Sequence, residues 1–116
     1  MKTINRFALI VRPADPFIEW AAEVFNEPIT KVRKELEAME PSVYLVPESD
    51  AADPEDSQLL KPCWRTIFTQ ELDGWCTNEA SWPQKRSLAL FKVWFRLELC
   101  TIVSDLDESK IEHEIL

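Results

Sequence analysis

Phe7-Ala8-Leu9-Ile10-Val11, set between Arg6 and Arg12-Pro13, is the stretch on which the fold turns. Five consecutive apolar residues are too few for a helix and lack the polar alternation of a strand with one wet face. They read as a strand at the centre of a sheet. Asp15-Pro16 follows as a helix start, Asp accepting from free N–H groups and Pro pre-set for the first turn. Phe17, Trp20, Ala21 and Val24 then fall at helical spacing, and Pro28 closes the segment. A second helix is predicted from Thr30, with Val32, Leu36 and Met39 on one face, until Pro41 stops it. Ser42 to Pro47 is rich in β-formers and is the second predicted strand.

Farther out, Glu48 to Asp56 reads as an acidic loop, and Asp53-Pro54-Glu55-Asp56 repeats the cap-plus-proline start. The helix behind it is predicted to run to Asp73, kinked or divided by Pro62. Its stripe Trp64, Ile67, Phe68, Leu72, Trp75 has the period of a core-facing helix. Gly74, the only glycine, is expected at a left-handed C-terminal cap, where Ala would cost about 1 kcal/mol or more. Ser81-Trp82-Pro83-Gln84 has the form of a capping box. The helix it opens carries Leu88, Leu90, Phe91, Val93, Trp94 and Phe95 on more than one face, as in a sandwiched helix. Leu97 to Val103 alternates and is the third predicted strand.

These elements define an α+β fold, a small three-stranded mixed sheet with four to five helices in β-α-α-β-α-α-β order. One globular domain is expected over residues 1–105, with a charged tail over 106–116. Two helices per connection would make the middle strand oppose the first and the third run parallel to it. Arg12 and Asp105 would then share one sheet edge, with Glu48 at the other.

The totals narrow the function. A chain of 116 residues has room for one core, and 46% hydrophobic with 29% charged residues suits a globule. A net charge of −8 opposes a polyanionic partner. The densest basic group, Lys31, Arg33 and Lys34, shares its helix with Glu35, Glu37 and Glu40, so nucleic-acid binding is not expected. Three cysteines (63, 76 and 100) without a C-x-x-C pair, and no apolar run long enough for a leader or a span, point to a cytoplasmic protein without membrane contact. His113 is the only histidine, so a multi-histidine zinc site is out of reach. Asp50, Asp53, Glu55 and Asp56 lack the spacing and glycine of a calcium loop, and one glycine makes no phosphate loop. No cofactor is expected.

Two constellations remain. Arg12 ends the first strand, where open sheets place ligands, and its guanidinium suits a carboxylate or phosphate, with Glu19 and Asp105 as neighbouring acids. The bland alternative is a structural ion pair. Trp82 and Arg86, four residues apart, can stack, and with Trp94 they make the kind of group that anchors an interface. The bland alternative is two core indoles covered by Arg86. Carboxylate chemistry by Glu19, Glu48 or Asp105 is conceivable, but no spacing singles out a pair.

Five stretches taken together, Arg6 to Pro13, Asp15 to Trp20, Val43 to Glu48, Trp82-Pro83 with Arg86, and Phe91 to Phe95, resemble a group of short bacterial proteins with no established function. The resemblance spans roughly residues 6 to 105 and implies a small cytoplasmic bacterial protein without implying an activity. The expectation is a non-enzymatic interaction or accessory protein. Its partner would be another protein, or a second copy meeting it through a Trp82–Trp94 helix. The alternative is a small-ligand binder or enzyme using Arg12 with strand-end carboxylates.

Overall fold

The computed structural model describes residues 2–114. Its central strand, β2 (Arg6–Pro13), follows a two-residue strand β1 (Lys2–Thr3). Phe7, Leu9 and Val11 point to the helices, Leu9 and Val11 being fully buried. Ala8 on the opposite face is also buried, whereas Ile10 is half-buried. Helices α1 (Asp15–Val24) and α2 (Ile29–Ala38) lead to β3 (Ser42–Pro47). A long connection then holds α3 (Ser57–Leu60), α4 (Trp64–Trp75), a 3-10 turn at Glu79–Ser81 and α5 (Leu88–Trp94). It enters β4 (Phe95–Cys100), and β5 (Ser104–Asp105) pairs back on β1. Pro62 does divide the predicted long helix in two. No helix is long and apolar enough to cross a membrane among the described residues.

The α+β class stands, but the mixed sheet does not. The order is β3-β2-β4 with both pairings antiparallel, and β1-β5 makes a second, two-stranded sheet. Three helices separate β3 from β4, Pro62 having divided the long one, whereas the mixed sheet rested on two helices per connection. Their odd number of reversals returns β4 parallel to β3 and therefore opposed to β2. Arg12 consequently pairs with Arg96, next to the Val11–Ser42 pair, whereas Asp105 pairs with Lys2 beyond the other end of β2. Arg12 and Asp105 lie at opposite ends of the sheet, and Glu48 follows the β3 end that pairs with Arg6.

Several element ends also differ from expectation, for local reasons. The last helix begins at Leu88 because Ser87, not Ser81, caps it, its Oγ accepting from Leu90 N at 3.1 Å. The Gln84 amide instead donates to Trp82 O at 2.7 Å. That helix stops at Trp94 because its last carbonyl is taken by Ala14 N (2.8 Å) and Phe95 is drawn into register with Pro13. β4 therefore starts and ends earlier than predicted. Residues 106–114 carry neither helix nor strand.

The core is aromatic. Phe68 of α4 is fully buried, with ring centroids 5.9 Å from Phe91, 5.6 Å from Trp94 and 5.3 Å from Phe95. Phe17 of α1 joins the same group at 5.4 Å from Phe95 and 5.2 Å from Trp20. Such pairs add about 0.5–1.5 kcal/mol each beyond the area they bury. Indole N–H groups find carbonyls: Trp20 donates to Ser81 O (2.9 Å), Trp75 to Ala21 O (3.1 Å) and Trp82 to Cys76 O (2.7 Å). These three bonds tie α1, α4 and the 3-10 turn together.

Gly74 is not a left-handed cap. It lies inside α4 without positive φ, and the left-handed residue among those described is Asn26, at φ 49°, just beyond α1. A Cβ added at Gly74 meets nothing within 4 Å. Gly74→Ala is therefore expected to stabilise the fold by about 0.5–1 kcal/mol through helix propensity, the reverse of the sequence expectation. Asn26→Ala is expected to destabilise it by about 1 kcal/mol, since Ala tolerates the left-handed region poorly. Urea unfolding of both variants measures the two signs.

Candidate ligand cavity

The inward residues of β3 become more polar toward the Arg12 end of the sheet: Val46, then Tyr44, then Ser42. Opposite them, α4 presents Glu71 in one row with Ile67 and Trp75, four residues to either side, and then Gly74, which fills no space. Here the core's edge opens to solvent. A cavity of about 690 Å³ opens between β3, α4 and α1, with Leu36 of α2 and Met39 to Pro41 closing one side. Ile18, Leu36, Trp75 and Val11 make its apolar lining, and its size falls within the range of small-molecule sites.

Its polar centre is Glu71. Ser42 Oγ donates to Glu71 Oε2 at 3.0 Å and Tyr44 OH donates to the same oxygen at 3.2 Å. Oε1 receives no protein hydrogen bond among the described residues. Ion pairs among those residues join Arg12 to Glu98, Lys31 to Glu27 and Glu35, and Arg33 to Asp15, and none takes Glu71. Partial burial raises the pKa of the Glu71 carboxyl above the ordinary glutamate value, opposed by the two hydroxyl donors. The Tyr44 phenol is pushed well up, first by burial and then by the neighbouring Glu71 charge, so it stays a donor.

Of the residues singled out from the sequence, Arg12 borders this cavity. Its guanidinium meets Glu98 at 3.3 Å, with both side chains substantially exposed, so it keeps donors free. Arg96, directly across the pair from Arg12, also borders it. Glu19 is exposed on α1 outside the cavity lining, and Asp105 lies at the far end of the sheet. Trp82 is buried, with its N–H satisfied by Cys76 O. Arg86 does lie over the Trp82 ring, at 5.7 Å, but the two sit in a loop, and its Nη1 donates to Pro83 O at 2.7 Å. Trp94 ends α5 half-buried against Trp20 and Phe68. Trp82 thus lies outside the helix on which a self-association surface was expected.

Sequence reasoning did not select Glu71, Tyr44 or Ser42. The usable signal was an acid placed four residues from Ile67 and four from Trp75 on a core-facing row. No family model matches the chain, and neither a curated protein nor a solved structure matches it.

The folded state binds the Glu71 proton more tightly than the unfolded chain does. The stability this contributes is therefore fully present below the ordinary glutamate range and is lost as pH rises through the raised folded value. Glu71→Gln keeps the acceptor for Ser42 and Tyr44 and removes the charge. It is expected to be more stable than the parent at neutral pH, with the gap closing in acid. Urea unfolding across the acid range checks this, and a less stable variant at neutral pH contradicts it.

Proposed function

We propose that the protein binds a small, predominantly apolar organic molecule in the cavity between β3 and α4. The observation that carries this reading is a solvent-open space of about 690 Å³ with an apolar floor of Val11, Ile18, Leu36 and Trp75, in which Ser42, Tyr44 and Glu71 converge, and a polar, charged rim. Arg12 belongs to it as a rim residue, with Ser42, Tyr44 and Glu71 in place of the strand-end acids first considered. The reading is of a binding protein and assigns no reaction. Kinship with short bacterial proteins, suggested by the five stretches above, belongs to the same proposal and adds no activity to it.

A second reading keeps the expected protein-interaction role, moved to a different surface. Helices α1, α4 and α5 reach β4 through Phe17, Phe68 and Phe91 on Phe95. The other face of the sheet carries Val43 and Leu45, 59% and 54% exposed, which favours contact with another protein or a second copy.

The two are separated by a neutral, environment-sensitive dye such as Nile red. The parent protein is expected to bind it saturably at one site. Gly74→Trp and Thr66→Trp, from different turns of α4 along the cavity, are expected to weaken that binding by about tenfold or more with circular dichroism unchanged. Equal dye binding by both variants and the parent, or no saturable binding, removes the cavity reading.

A further inference from the structure

We infer that the cavity selects an organic cation, an amine carried on an apolar body, with Glu71 Oε1 as the group that receives the ammonium. This rests on the cavity reading and states which ligand class it takes. Three observations converge on it. The carboxylate is turned inward and half-buried, yet no cation of the protein pairs with it among the described residues. Ser42 and Tyr44 both spend their hydroxyl donors on Oε2, which orients the carboxylate and leaves Oε1 without a protein donor. Tyr44 and Trp75 line the same space, and the Trp75 ring is held in place by its N–H bond to Ala21 O.

An unpaired, partly desolvated carboxylate is costly, and a ligand bringing the missing positive charge offsets that cost. A charge-assisted N–H···O bond is also roughly twice as strong as a neutral one, and aromatic walls add to the attraction of an ammonium. Glu37 and Glu40 also border the cavity, but both are exposed, so they count no more than the exposed Arg96. The two arginines bordering the cavity do not reverse this preference. Arg96 is exposed to solvent, and Arg12 shares its charge with Glu98. An apolar acid drawn to them would leave the inner carboxylate uncompensated.

The test uses the full chain and three probes of one shape: 3-phenylpropylamine, 3-phenylpropanol and 3-phenylpropanoate, each titrated by calorimetry. The amine is expected to bind about 10- to 100-fold more tightly than the alcohol, the span a hydrogen bond to a charged group supplies, and the carboxylate to bind weakest. Glu71→Gln is expected to abolish the amine's advantage over the alcohol, and an advantage that survives Glu71→Gln overturns the assignment to this carboxylate. Alcohol and amine binding alike to the parent overturns the cation inference and leaves the cavity reading standing, as does a preference for the carboxylate. Failure of all three probes to bind overturns both.

Discussion

Everything in this molecule follows from β2 being hydrogen-bonded on both sides by strands that oppose it. That double pairing places Val11 between Ser42 and Leu97, and Leu9 between Tyr44 and Leu99. It therefore decides which side chains share the helix-facing surface. On the β4 side the inward residues, Phe95, Leu97 and Leu99, continue the core, and Phe68, Phe91 and Phe17 close over Phe95. On the β3 side, inward Ser42 and Tyr44 cannot be buried without partners, because an unpaired hydroxyl taken from water costs more than its bond returns. Glu71 supplies the acceptor for both.

The cavity is the geometric consequence. A large apolar residue in place of Ser42, Gly74 or Glu71 would pack against Trp75 and Ile18 and extend the core. The residues present satisfy hydrogen bonds and leave space. A partly desolvated carboxylate without a cationic partner lowers stability at neutral pH, and a dense aromatic cluster elsewhere in the fold compensates for it. Local polar cost against a well-packed scaffold is the usual balance at binding sites, where consistency between sequence and packing is relaxed.

Much of this was legible in the sequence. The apolar run at Phe7 to Val11 announced the central strand, and the Trp64-to-Trp75 stripe announced the core face of α4. Asp15-Pro16 marked the start of α1, but Ala14 stands at its cap and Asp15 pairs with Arg33, and Asp56, not Asp53, caps α3. Strand direction was not legible, because it depended on counting helices, and Pro62 changed the count. Gly74 misled because a glycine beside the end of an apolar stripe looks the same inside a helix as beyond it, until the chain's course at Trp75 is known. The site was not legible because charges at strand ends are what the sequence displays, whereas Glu71 stands in mid-helix and its partners, Ser42 and Tyr44, come from a strand 29 and 27 residues away. Only the inward alternation of β3 brings them together.

The central claim is that Glu71 lies half out of water, held by Tyr44 and Ser42 across the cavity wall. Its most direct test is the titration of the Glu71 side-chain carboxyl carbon, followed by NMR in the parent and in Tyr44→Phe. The expected result is a midpoint above that of ordinary glutamate, moving higher still when the tyrosine hydroxyl is removed. An ordinary midpoint in the parent that does not respond to Tyr44→Phe would place Glu71 in water and contradict the arrangement.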